Sequence, residues 1–364
     1  MESPMQQLTM AESASELRRL QLKLSVEFPH IERAGTFARL FREKLEVGLS
    51  GLTSSDVSIV VFGSLARDEF TEGSDVDWTA LVDGVADPQH LDTTLRVKGV
   101  LESLGAKSPG REGIFGNMAF SHEIIHQIGG QDDTNSNTTK RILLILESRP
   151  IGRREAFDGV LNHVLNRYIA EDGRFLQKSA KFNVPRFLLN DFSRYWHTMA
   201  VDFAHKRRTR RGDGTAIRNI KLRMSRKLIF VSGLLACFSL HLITTEPERV
   251  ALLDSAYPQH EFVRHMRRQL AQTPLEILAS VINRYDHLNH VGMALFSAYD
   301  EFLGVLGDQE KREHLDKLSP GTEDGDPTFR QLRVASHSFR DALLDLFFDK
   351  STGLADLTQT YGVF

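Results

Sequence analysis

Apolar positions along this chain change their spacing twice. From Glu12 to about Leu49 they recur with helical period, interrupted at Phe28-Pro29-His30, where the proline disfavours helix in the residue before it; two helices are predicted. Between about Val57 and Ile128 the pattern shortens. Ser58-Ile59-Val60-Val61-Phe62 is a β-branched run that predicts a buried strand. The run from Asp75 to Val82 predicts a second strand, with Asp75 and Asp77 on one face and Val76 and Trp78 on the other. Leu91 to Leu104 predicts a helix, and Asn117 to Ile128 a further strand. A helix follows from about Ser136 to Ser148, where capping alone accounts for Asp133 and Thr134. From Thr138 onward almost every segment is helical in period, as at Phe329, Leu332, Phe339, Leu343 and Phe347. The predicted architecture is an α/β (α+β) domain with a small mixed sheet over residues 51–150, preceded by N-terminal helices (1–50) packed on it and followed by an all-α helical domain (151–364). The boundary is set at Arg149-Pro150-Ile151-Gly152, a Pro/Gly stop after a helix, and no internal repeat is visible.

Composition narrows the function classes. With 364 residues, 41% hydrophobic and 26% charged, the chain has the make-up of a globular protein with room for two domains. A net charge of −3 gives no global electrostatic case for binding nucleic acid. The single cysteine, Cys237, lies in the apolar run Leu234 to Phe238, which suits packing and excludes an intrachain disulfide framework or a cysteine-based zinc site. The longest apolar stretch, Leu228 to Ile243, is shorter than the roughly 20 residues a spanning helix needs and holds Ser232, Gly233, Ser239 and His241, so no membrane partner is expected. The first forty residues lack the apolar core of a secretory signal, and a cytoplasmic location is expected.

The densest chemistry lies between the two predicted strands. The first stops at Gly63, where a missing Cβ lets backbone approach a phosphate, and Ser64 opens a short helix, to about Glu69, whose N-terminal N–H groups favour an anion. Asp75 and Asp77, sharing a strand face, form an oxygen pair suited to Mg²⁺, with Mn²⁺ as a substitute. Gly63-Ser64, ten residues, then Asp75-Val76-Asp77 resembles the signature of the nucleotidyltransferase superfamily that includes DNA polymerase β. The resemblance implies transfer of NMP from an NTP with loss of pyrophosphate by a two-metal mechanism. It further implies Asp75 and Asp77 as catalytic metal ligands, Gly63, Ser64 and Arg67 on the phosphates, and a third carboxylate from a later strand. Glu123 is the candidate for that third carboxylate, as metal ligand or general base, with Asp132 and Asp133 behind it.

A finer likeness covers about Val57 to Ile151. Ala66-Arg67-Asp68-Glu69, together with Leu143-Leu144-Ile145-Leu146-Glu147-Ser148-Arg149-Pro150-Ile151-Gly152, resembles protein-PII uridylyltransferase and its shorter bacterial relatives, although Asp68 stands where that family favours Gly. That likeness implies a protein side chain as acceptor; another nucleotide or a small molecule stays open. The His-Asp phosphohydrolase and the small-molecule regulatory domains of the longer relatives have no counterpart after Gly152.

The helical half offers a second wall. Arg218, Lys221 and Ser225 fall on one helix face, so two cations can reach a triphosphate, and a solvated basic face accounts for them equally well. Tyr195 and Trp196 are base-stacking candidates, and Lys206-Arg207-Arg208-Thr209-Arg210-Arg211-Gly212-Asp213-Gly214 predicts an exposed basic loop. Two other readings compete. His122-Glu123-Ile124-Ile125-His126 spells H-E-x-x-H, a zinc-protease pattern with Glu147 downstream as third ligand, and a nucleotide-binding regulator or toxin-antitoxin component would bind with little turnover.

Overall fold

The structure is a computed structural model that describes residues 14–109, 115–178, 180–209 and 214–362. Helix α1 (Glu16–Leu24) starts on the Ser15 hydroxyl, which accepts from the Arg18 N–H, and α2 (Pro29–Gly48) begins at the proline that separates the two. Strands β1 (Val57–Phe62), β2 (Trp78–Val82), β3 (Asn117–Phe120) and β4 (Ser148–Ile151) form one mixed sheet in the order β3-β2-β1-β4. β1 runs antiparallel to β2 and β4, with Val61 opposite Trp78 and Val60 opposite Pro150, whereas β2 and β3 are parallel. The sheet's helices are α3 (Gly63–Ala66), α4 (Gln89–Ser103), α5 (Ser121–His126) and α6 (Asn135–Leu146).

Alternation along β1 sets the two cores. Ile59 and Val61 pack with Trp78, Val97, Ala38 and Leu45 under α2 and α4, while Val60 and Phe62 face Ile142, Phe157 and the helical half. That half comprises α7 (Glu155–Glu171), α8 (Arg186–Thr209), α9 (Thr215–Arg223), α10 (Ser225–Leu242), α11 (Glu246–Leu253), α12 (Pro258–Leu270), α13 (Pro274–Ile282), α14 (Asn289–Gly307), α15 (Gln309–Lys317), α16 (Pro327–Phe347) and α17 (Leu354–Leu357). Its central element is α10, where Gly233 lets the Phe192 ring lie where a Cβ would be 2.9 Å away and where Cys237 is fully buried. Thr215–Leu242 is long and apolar enough to cross a membrane, but 78% of its most apolar window is buried here, and Met224 breaks it into two helices.

A buried polar knot joins α6 to the helical half. Arg141 of α6, with no exposed surface, donates through Nη2 to Asp133 (2.9 Å) and Asp191 (2.9 Å) and through Nε to the Tyr168 hydroxyl (2.6 Å), so α6, α7 and α8 share one charge network. Asp133 also takes the Arg194 guanidinium at 3.1 Å. The cap of α6 is therefore Thr134 alone, which accepts from the Asn137 N–H.

Three sequence expectations change. The strand predicted over Asn117 to Ile128 ends at Phe120 and turns into α5, because Ile124 and Ile125 are both buried and adjacent residues of one strand would point to opposite faces. Arg149-Pro150, predicted as a stop, is edge strand β4, where the missing proline N–H leaves no gap in the ladder. The sequence also predicts both N-terminal helices on the sheet. Instead α1 packs on α13, its Leu17 N–H donating to Glu276 at 3.0 Å, and α2 reaches from the sheet to α14, where Asp300 accepts from the His30 (2.8 Å) and Ile31 (2.9 Å) N–H groups.

Candidate active site

Gly63 leaves β1 in the left-handed region at φ +66°, and a Cβ there would sit 3.2 Å from Asp77 Oδ2. Both facts demand glycine. Helix α3 lasts four residues, and the extension predicted to Glu69 fails because Asp68 is left-handed too, at φ +62°. This is the position where the uridylyltransferase-like sequences favour glycine. Aspartate tolerates that conformation better than most side chains, and here ion pairs to Arg42 (2.7 Å) and Arg149 (3.0 Å) hold it.

Asp75 and Asp77 lie just before β2 in an extended segment that keeps the ladder going. The Phe62 N–H donates to the Asp77 carbonyl at 2.9 Å, and Asp75 bridges to Lys107. Val76 and Trp78 are buried, Asp75 is exposed and Asp77 half-buried, so the predicted alternation places both carboxylates at one cleft. Burial, then the charges of Asp75 and Glu147, push the Asp77 carboxyl up to about 7 against the pull of Lys221 and Arg67. A carboxylate held near its titration point by burial and by neighbouring like charges is one that a divalent cation relieves. Two carboxylate donors with open space beside them fit Mg²⁺, which completes its shell with water and substrate phosphate. Among the described residues no group of three His, Cys, Asp or Glu side chains converges on a metal position.

Two site expectations need correction. Arg67 lines the cleft but is not available to a phosphate: its Nε and Nη2 donate to Glu69 Oε2 at 3.0 and 2.8 Å, and its Nη1 to Glu147. Burial pulls the guanidinium's pKa down, but the two carboxylates outweigh that and hold it above the ordinary arginine value. Glu123 lies outside the cleft, on α5, with its side chain 53% exposed and 3.5 Å from Lys140 Nζ. The carboxylate that the later chain brings beside Asp77 is Glu147, the C-cap of α6, whose own pKa burial raises despite Arg67. The sequence signal was its place at the end of Leu143-Leu144-Ile145-Leu146, one residue before β4. With Glu147 bound to Arg67, the zinc-protease reading loses its third ligand, although the His122 and His126 rings do stand 5.0 Å apart on a six-residue helix.

The opposite wall of this cleft, a space of about 1260 Å³, carries Arg218 and Lys221 of α9, as the helical spacing predicts. The Ser225 hydroxyl, third in that pattern, donates to the Lys221 carbonyl at 3.3 Å. Burial first, then Arg312, pull the Lys221 ammonium down to about 8, with Asp75 opposing. Arg226 of α10 and Arg312 of α15 join the wall without having been singled out from the sequence. Arg312 lies over Gly73, where a Cβ would come within 2.7 Å, and donates to the Thr71 hydroxyl at 3.1 Å. Of the two aromatic candidates only Tyr195 lines the cleft; Trp196 stacks on Phe230 at 5.4 Å. Lys206 to Thr209 end α8 rather than forming a loop, and Arg210, Arg211, Gly212 and Asp213 lie outside the described residues.

Residues 42–108 match the family described as nucleotidyltransferase domain, a span that holds Gly63, Ser64, Asp75 and Asp77. No curated protein and no solved structure matches the chain. With all four signature residues on one cleft inside the matched span, this chain is an enzyme, a transferase carrying a nucleotidyltransferase domain of the superfamily that includes DNA polymerase β.

Proposed function

We propose that the chain transfers a nucleoside monophosphate from a nucleoside triphosphate to an acceptor, with Mg²⁺ held by Asp75 and Asp77. The observation that carries this reading is the opposition, across one cleft, of two carboxylates and the cations Lys221, Arg226 and Arg312. An oxygen or nitrogen of the acceptor bonds to the α-phosphorus, the bond from that phosphorus to the α–β bridging oxygen breaks, pyrophosphate leaves with the electron pair and the acceptor's proton passes to water. Metal bound at the two aspartates would neutralise phosphate charge and favour the deprotonated acceptor. Gly63 and Ser64 meet the phosphates, and the cationic wall stabilises charge growing on the leaving pyrophosphate.

The likeness to protein-PII uridylyltransferase supports the donor half of this reading more than the acceptor half. Its shared residues have structural work here: Glu147 pairs with Arg67, and Arg149 pairs with Asp68 and donates to the Ala66 carbonyl at 2.8 Å. Such a motif shapes the loop after β1 whatever the acceptor is. Incubation of the full chain with Mg²⁺ and each of the four ribonucleoside triphosphates, with and without cell lysate, should release pyrophosphate, and Asp77→Asn should abolish the release. Triphosphate binding without pyrophosphate under every condition would favour a nucleotide-binding regulator instead.

A further inference from the structure

The cleft does not end at the triphosphate wall. Past Tyr195 it continues between the first turns of α6, at Asn135, Ser136 and Thr139, and one face of α8. His197, Val201, His205 and Arg208 follow one another three or four residues apart, are exposed and line this arm, whereas Phe192 turns into the core. At about 1260 Å³ the whole space exceeds the roughly 300–1,000 Å³ typical of a site for one small ligand.

Charge divides the space in two. Although the chain is net −3, the described residues lining the cleft include eight Lys or Arg against five Asp or Glu. Four of those carboxylates, Glu69, Asp75, Asp77 and Glu147, belong to the end already described; among the described residues the far arm adds only Asp202, which pairs with Lys206 at 2.5 Å. Arg194 also lines this arm with its charge balanced by Asp133, and Arg208 adds a cation. Hydroxyl, amide, imidazole and guanidinium donors suit the several oxygens of a phosphate, and the described lining offers no carboxylate set for a cation.

We propose, resting on the nucleotidyl-transfer reading, that this arm is the acceptor site and that the acceptor is a small hydroxyl compound bearing a phosphate, a nucleotide or a sugar phosphate. The arm holds the phosphate while the hydroxyl faces Asp75 and Asp77. The hydroxyl oxygen bonds to the α-phosphorus of the triphosphate, the α–β bridge breaks, and pyrophosphate and the hydroxyl proton leave.

The test is calorimetric titration of the full chain loaded with Mg²⁺ and one equivalent of a non-hydrolysable triphosphate. The second ligand is a nucleoside monophosphate or a hexose phosphate, with the unphosphorylated nucleoside and hexose as controls. One further phosphorylated molecule should bind, the stronger of the two identifying the source, while the controls bind at least tenfold more weakly. His205→Ala with Arg208→Ala should weaken that second binding about tenfold and leave triphosphate binding unchanged; Lys221→Ala should do the reverse. Absence of a second binding event, equal binding of the controls, or transfer of α-label from a triphosphate to protein or RNA would overturn the proposal. Failure of the triphosphate analogue to bind would instead strike the nucleotidyl-transfer reading, and titration of the phosphorylated probes alone would still judge the arm.

Discussion

Asp77 sits at the balance between stability and chemistry. Its folded pKa, raised from 3.8 to about 7, means that the native state prefers the protonated form, so the metal-free fold loses stability as pH rises from about 4 through 7. At 1.36 kcal/mol per pH unit the loss reaches about 4 kcal/mol as an upper bound. Asp77→Asn removes the charge, and its metal-free melting temperature should exceed the parent's at pH 8 while the two agree at pH 4; a variant that is less stable at pH 8 would contradict the electrostatic account. Lys221 titrates on the other side, losing its charge through about 8. Free-enzyme kcat/KM for the triphosphate should therefore rise towards pH 7 and fall above pH 8, with Mg²⁺ moving the lower limb to more acidic pH. At Gly63 the left-handed backbone and the 3.2 Å approach to Asp77 converge, so Gly63→Ala should cost about 1–2 kcal/mol in denaturant titration and cut pyrophosphate release more than stability alone explains.

Among the elements, those that span several periods were legible in the sequence. β1, the alternation of Asp75 to Trp78, α4, α6 and α9 with its two cations all follow from spacing. What escaped was short or was decided by side-chain direction. A four-residue strand followed by a six-residue helix is too brief for either period to show, which hid the true position of Glu123. Periodicity also says nothing of which carboxylate meets Arg67, so the pairing of Glu147 with Arg67 is decided by the tertiary fold, as is the arrival of Arg312 from far along the chain. The loop after α3 carries its own test. Asp68→Gly and Asp68→Ala both lose the pairs with Arg42 and Arg149, but only alanine keeps a Cβ in the left-handed region; the alanine variant should unfold about 1 kcal/mol more easily than the glycine variant in urea.

At the scale of the whole molecule, α6, which packs beside the sheet, is joined to the helical half by the Arg141 knot as well as by apolar packing. Arg141→Leu would leave Asp133 and Asp191 without their shared cation, although Arg194 still reaches Asp133. Removing one partner from such a buried group costs about 3–5 kcal/mol, and the melting temperature should fall accordingly at pH 7. Recovery of that loss in the double variant Arg141→Leu, Asp191→Asn, which leaves Arg194 on Asp133, would show that the unpaired charge, rather than lost packing, causes it.

Arg312 reaches the cleft from α15, while Asp75 and Asp77 lie in the first quarter of the chain. A ribosome making this protein exposes the carboxylates long before the cation that faces them. The nascent polypeptide thus carries Arg218, Lys221 and Arg226 of the cationic wall before α15 emerges, and a product stopped at Asp308 lacks Arg312 alone among them. The order of synthesis therefore leaves the last cation of the wall to the final sixth of the chain, so truncation before Arg312 trims the cleft without touching its carboxylates.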